Sequence, residues 1–149
     1  ENKYLLCKLD NEEYGINITN VQSIEELQKI IAVPDLPSYV KGVINLRGKV
    51  VPVIDLRLKF NMEEREYDDR TCIVITTIRD NHIGLIVDTV SEVHDIPQAN
   101  IEPPPAFKKS SGEDRYIAGI GKIEDDVKIL LDVSKLLHEE DMEQIQEKT

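Results

Sequence analysis

Three histidines, two cysteines and a few clustered carboxylates are the residues of this 149-residue chain that could do chemistry. A zinc centre needs three or four His, Cys or carboxylate ligands, and its usual mark is closely spaced pairs. His82, His94 and His138 have no such spacing among themselves or with Cys7 and Cys72, so no metal and no cofactor are predicted. Asp125 and Asp126 are a carboxylate pair of the kind used in acid–base catalysis. Their setting, "EDD" between two apolar runs, is explained by a solvated hairpin turn. "GIG" at Gly119–Gly121 lacks the third glycine and the following helix of a phosphate loop. No serine stands in a nucleophile elbow. The chain therefore reads as a non-enzyme. What remains is Arg47, in "GVINLRGKVVPVIDLRLKF" (Gly42–Phe60), at a tight turn between two Val- and Ile-rich runs with Asn45 and Lys49 nearby. A solvated turn charge is one reading. The other is a binding anchor, because a guanidinium makes several directional bonds and arginine is enriched at interface hot spots.

Charge narrows the partners. Eighteen basic residues against 29 acidic ones leave a net charge of −11, which repels phosphate backbones and anionic membrane surfaces. Nucleic acid is not an expected partner. No apolar run approaches the roughly 20 residues of a membrane helix, so direct membrane insertion is not expected. "ENKYLLCKLD" lacks the cationic start and long apolar segment of a secretory signal, which points to the cytoplasm. The first residue is not Met, so the native start is open. Cys7 and Cys72 lie in alternating apolar runs and are expected as buried thiols of a reducing compartment. Asn17-Ile18-Thr19 matches a glycosylation sequon by chance.

The elements that must position Arg47 are short strands. "KYLLCKL" and "EYGINI" form a hairpin around "DNEE". "TNVQSIEEL" suits a short helix capped by Thr19, and "KIIAV" suits a strand ended by Pro34 and Pro37. The Arg47 hairpin follows, then a helical start at "LRLKF" and a polar connector, "NMEEREYDDR". "TCIVITTI" and "HIGLIVDTV" turn at "RDNH". A long loop, "IPQANIEPPPAFKKSSGEDR", leads to a last hairpin, "YIAGIGKI" and "VKILLDV". "SKLLHEEDMEQIQEK" is the strongest helix, capped by Ser134, with Leu136, Leu137, Met142 and Ile145 on its apolar side.

The chain also resembles itself. Leu9–Ile24 aligns with Ile78–Val93 at an offset of 69, placing Gly15 on Gly84 and Val21 on Val90. Tyr39–Leu56 aligns with Tyr116–Val133 at an offset of 77, placing Gly42 on Gly119 and Asp55 on Asp132. A duplicated five-strand unit predicts a mainly β fold of two small barrels side by side, since closure removes exposed sheet edges. The expected bounds are about 14–65 and 70–133, with strand 3–9 and a C-terminal helix 134–147 completing them.

"KGVINLRG" (Lys41–Gly48) followed by "PVIDL" (Pro52–Leu56) resembles the signature of the CheW family of bacterial chemotaxis coupling proteins. "YGI" at Tyr14–Ile16, "GLIVDTV" from Gly84 and "IEPPPAF" extend the similarity over essentially the whole chain. Ser23 departs from the glutamate that members often carry. The resemblance implies a single CheW-like domain of two SH3-like five-stranded barrels, cytoplasmic and recruited to receptor arrays. It implies a non-catalytic adaptor between the cytoplasmic tip of chemoreceptors and the regulatory domain of the CheA histidine kinase. By the same resemblance, Val21, Gly42, Arg47, Cys72, Gly84 and Val90 belong to a receptor-binding groove, and Ile30, Ile31 and Val33 to a kinase-binding segment. Two other readings are an excised regulatory domain of a CheA-type kinase or of a CheW–receiver fusion, and a small-molecule-binding barrel.

Overall fold

A computed structural model describes residues 2–104, 116–137 and 139–148. The strands are β1 (Lys3–Leu9), β2 (Glu12–Asn17), β3 (Val21–Glu26), β4 (Val40–Leu46), β5 (Lys49–Asp55), β6 (Cys72–Ile78), β7 (Asn81–Val87), β8 (Thr89–Asp95), β9 (Ile101–Glu102), β10 (Ile117–Ile123) and β11 (Asp126–Leu131). Two α-helices, α1 (Leu56–Lys59) and α2 (Glu139–Lys148), and 3-10 turns at Ile18–Asn20, Gln98–Asn100 and Val133–Lys135 complete the described elements. Strands therefore dominate, and they form two sheets ordered β8-β1-β2-β11-β10-β9 and β3-β6-β7-β5-β4.

The duplication appears in the strand register. Gly84 of β7 lies opposite Val53 of β5 in a parallel pair, and Gly15 of β2 lies opposite Leu130 of β11 in another. Both pairs obey the offsets of 69 and 77. The bulges also repeat: between Val40 and Gly42 against β5, and between Ile117 and Gly119 against β11. A further matched pair of bulges sits where Val21 meets Thr76 and where Val90 meets Cys7. Bulges twist a strand and pin its register, so their repetition means that the same bend is built twice.

The sheets do not divide where the contiguous bounds 14–65 and 70–133 would divide them. The first half places β1 and β2 in the six-stranded sheet and β3, β4 and β5 in the other. The second half does the reverse, with β6 and β7 in the five-stranded sheet and β8 to β11 in its partner. The chain crosses between sheets through a 3-10 turn at Ile18–Asn20 and again through Asp88 between β7 and β8. Each sheet is thus completed by a hairpin from the other half. The parallel pairs require this exchange, because a tight turn can join only antiparallel neighbours.

This exchange sets where the core lies. The larger apolar cluster joins Leu5, Cys7, Leu9 and Ile16 of one sheet to Ile54, Val74, Ile83 and Leu85 of the other. A smaller cluster, with Ile44, Val51, Val53, Ile73, Ile75 and Ile86, fills the concave side of the five-stranded sheet. Along β6, Ile73 and Ile75 point into the smaller cluster and Val74 and Ile78 into the larger, the period-two pattern of a strand buried on both faces.

Several local expectations change. "TNVQSIEEL" forms a 3-10 turn and then β3, not a helix, because its alternating side chains pair with β6. Asn17, not Thr19, caps that turn, its Oδ1 accepting from the Thr19 N–H at 3.0 Å. "KIIAV" contributes only a bridge between Ile31 and Val43. The C-terminal helix starts at Glu139 rather than at Ser134. Asp132 instead caps a 3-10 turn at Val133–Lys135, accepting from the Ser134 N–H at 3.1 Å. Leu136, Leu137, Met142 and Ile145 are buried in the inter-sheet cluster. "LRLKF" does begin a helix, α1, with Asp55 as its cap. His138 and the middle of the proline-rich loop lie outside the described residues.

Candidate protein-binding surface

Arg47 sits at the β4–β5 turn with φ 51°, followed by Gly48 at φ 89°. Two successive left-handed residues make the tight turn whose twist suits a hairpin. The Asn45 side chain accepts from the Gly48 N–H at 2.8 Å and holds the turn closed. The Arg47 side chain is 71% exposed and reaches Glu25 on β3, with Nη2 3.2 Å from Oε2. β3 is one edge of the five-stranded sheet, and the turn joins the two strands at its opposite edge. The ion pair therefore spans the open side of a rolled sheet. The Arg47 hydrogen bond, followed by one from Ser23, holds the Glu25 carboxyl below its ordinary pKa.

The other residues that the resemblance assigns to a receptor groove occupy three different places. Val21, Cys72 and Val90 are half-buried against the inter-sheet cluster. Burial raises the Cys72 thiol, while a hydrogen bond from the Val90 backbone pulls the other way. Beside them, Ile24 on β3 and Val93 on β8 stand exposed at positions related by the offset of 69. Gly84 is buried inside the five-stranded sheet, where an added Cβ would lie 2.7 Å from Val53 and 2.8 Å from Ile73. Gly42 lies against Ile31 and Ala32 instead, in the segment the resemblance assigns to kinase binding. A Cβ there would sit 2.1 Å from the Ile31 carbonyl oxygen. Of that segment, Ile31 is 51% exposed, while Ile30 packs on the smaller core cluster and Val33 is half-buried.

The two thiols differ. Cys7 is buried, and burial is the main reason its pKa is pushed up to about 12, helped by Cys72 and Glu13. Cys72 is only partly covered, contrary to the expectation of two buried thiols. Because the thiolate is the reactive form, a maleimide at pH 8 should label the native protein once, at Cys72. Cys7 should react only in denaturant. Peptide mass spectrometry of labelled protein checks this, and labelling of native Cys7 would contradict the burial.

Sequence reasoning missed a buried ionic cluster. Arg57, in α1, is 5% exposed. Its Nε and Nη2 donate to Asp88 at 2.8 and 2.9 Å, Nη1 donates to the Glu63 carbonyl at 2.7 Å, and Nη2 also bonds Asp10. Arg65 adds a second cation 3.0 Å from Asp88. Burial would raise the Asp88 pKa, but Arg57 and the Asp10 N–H hold it below the ordinary carboxylate value. The cluster ties the β1–β2 turn, the end of β5 and the β7–β8 crossover together. Its visible signal was a lone carboxylate inside the apolar run "LIVDTV".

Among the described residues, no group of three or more His, Cys, Asp or Glu is arranged to hold a metal ion. No described helix is long and apolar enough to cross a membrane. The surface offers apolar strips, an exposed arginine and rigid strands, which suit protein recognition.

Comparisons with known proteins agree with the sequence motifs. The family model described as CheW-like domain matches residues 3–141. The chain is 37% identical to the chemotaxis protein CheW of Klebsiella aerogenes over 140 residues, covering 94% of this chain and 84% of that protein. It is 38% identical to the chemotaxis protein CheW of Bacillus subtilis over 138 residues, covering 93% and 88%. The crystal structure of the scaffolding protein TtCheW from Thermoanaerobacter tengcongensis superposes with a TM-score of 0.85 at 34% identity, covering 94% of each chain. The interleaved two-sheet body and the "KGVINLRG…PVIDL" hairpin thus place the chain in the CheW-like domain family.

Proposed function

We propose that this protein is a non-catalytic chemotaxis adaptor, coupling the cytoplasmic tip of chemoreceptors to the regulatory domain of the CheA kinase. Family membership over residues 3–141 is the observation that carries the reading. The chain works in the cytoplasm, recruited to membrane receptor arrays. The relatives are named chemotaxis proteins, which favours the adaptor over a small-molecule-binding barrel. Receptor contacts use the inter-sheet strip around Val21, Cys72 and Val90, with Arg47 supplying directional bonds at the hairpin. Gly84 acts from inside the five-stranded sheet, where Val53 and Ile73 leave no room for a side chain. Ile30, Ile31 and Val33 form the kinase side, and Gly42 supports them from behind. The direct test is to add the purified chain to receptor-containing membranes and kinase and to assay phosphotransfer. No change in kinase activity or receptor control would refute the adaptor role.

Arg47→Ala provides a residue-level test. Its ion pair with Glu25 is exposed on the arginine side and contributes at most about 1 kcal/mol to stability. Loss of an interface anchor costs roughly 2 kcal/mol or more, and each 1.4 kcal/mol is about tenfold in affinity. The expected result is a nearly unchanged melt, a Glu25 carboxyl whose titration moves up toward its ordinary value, and receptor-fragment binding weakened more than tenfold. Arg47→Lys should rescue poorly, since it cannot reproduce the planar fork. Unchanged binding would leave Arg47 as a clasp across the rolled sheet.

A further inference from the structure

The duplication builds one apolar face twice, and among the described residues α2 covers only one of the two copies. In the five-stranded sheet, Pro52, Ile54 and Ile83 lie beneath α2, whose Met142 and Ile145 border a hollow of about 240 Å³ with Pro52 and Ile83. Asp141 of α2 accepts a hydrogen bond from the Tyr39 hydroxyl at 2.8 Å. Leu137, just before α2, packs on the same cluster. The offsets carry these positions to Ile129, Leu131, Tyr14, Tyr116 and Phe60 in the other half. Those five residues, with Met62, line a second hollow of about 200 Å³. Ile83 and Leu137 are fully buried, whereas their counterparts Tyr14 and Phe60 are only half-buried; Pro52 and Ile129 are half-buried alike, and Leu131 is buried as Ile54 is. Tyr14, Phe60 and Tyr116 stack in series, with centroids 5.7 and 5.9 Å apart. Lys59 places its ammonium between the two faces, 4.3 Å from the Tyr39 ring centroid and 5.1 Å from that of Tyr116.

We propose that the Tyr14–Phe60–Ile129 face docks an acidic amphipathic helix supplied by another protein. The twin face sets the chemistry of that helix. It needs two apolar side chains three positions apart, as Met142 and Ile145 are, and a carboxylate one turn before the second, as Asp141 is. Lys59, shared between the two tyrosines, puts a cation at the edge of the open face to meet that carboxylate. A second copy of this chain is not the natural occupant. Each chain has one α2 for its two such faces, and a helix lent to a neighbour would uncover its own. The proposal does not depend on the receptor and kinase assignments above, so failure of the phosphotransfer assay leaves it standing.

The probe is a capped peptide of residues 132–148 of this chain, titrated into the full-length protein with labelled Ile and Met methyls. The expected result is saturable shifts of Met62 and Ile129, with Ile83, Met142 and Ile145 of the protein unmoved. A peptide carrying M142Q and I145Q should bind at least tenfold more weakly, as should the wild-type peptide to Met62→Glu protein. Met62 lies in a loop beyond α1, half-buried against the larger cluster, so the fold of this variant is checked by the unshifted Ile83 and Met142 methyl signals. No saturable shift up to millimolar peptide would overturn the proposal. So would shifts confined to Ile83 and Met142, which would mean exchange with the chain's own helix, or equal binding by the substituted peptide.

Discussion

Gly42→Ala should destabilise the protein by roughly 3 kcal/mol and release the segment around Ile31. Gly42 has φ +143°, a conformation that costs a residue with a Cβ about 1–3 kcal/mol. The new methyl would sit 2.1 Å from the Ile31 carbonyl oxygen and 2.8 Å from its carbonyl carbon. Both are backbone atoms, so no side chain can swing aside. The segment must move, which breaks the two bonds Ile31 N–H to Val43 O (2.8 Å) and Val43 N–H to Ile31 O (2.9 Å). Each contributes about 0.5–1.5 kcal/mol net. Hydrogen exchange at Ile31 and Val43 should therefore accelerate together. Gly48→Ala is the control. It also has a left-handed φ, but its added methyl meets nothing within 4 Å, so only about 1 kcal/mol should be lost. On the kinase assignment proposed for this segment, the functional consequence falls on kinase binding, because Ile31 is its exposed residue. A variant that kept its Ile31 amide protection would refute the contact.

Arg57→Met should lower stability by about 3–5 kcal/mol, the usual loss when one partner of a buried ion pair is removed. For a chain of this size that is a fall in melting temperature of roughly 10 °C. Methionine fills the stem but leaves Asp88, whose side chain is 10% exposed, facing only Arg65 and the Asp10 N–H. The pH dependence has a definite sign. The Asp88 pKa is lowered in the folded state, so its contribution is complete above the unfolded carboxylate value of about 3.9 and disappears as pH falls through the lowered folded value. The gap between parent and variant should thus be widest near neutrality and close on the acid side of about pH 4. Melts from pH 7 to pH 3 measure this. A gap that stayed constant with pH would show that Arg57 acts by packing alone. Arg57→Met also separates the cluster from Arg47: the first variant should melt early, the second should not.

What the sequence determined is local and periodic. Alternating Val, Ile and Leu set the strands from Lys3 to Leu9 and from Cys72 to Ile78, because a period of two buries one set of side chains per face. The turn at Arg47 and Gly48 was legible because Gly48, set among polar residues between two Val- and Ile-rich runs, takes a left-handed conformation without steric cost. The duplication was legible too, since both offsets return as register pairs and matched bulges. Three things were decided only by tertiary structure. β3 was misread as a helix because its pairing partner, β6, lies beyond a hairpin and a long connector, and pairing outweighs local propensity. The contiguous barrels became interleaved sheets because parallel pairing of β5 with β7 and of β2 with β11 joins strands distant in the chain. Arg57 and Asp88 could not be matched from the sequence, since no spacing marks residues 31 positions apart as partners. Their pairing exists only because the sheet crossover at Asp88 closes over the end of β5, where burial makes the unpaired charge too costly to leave.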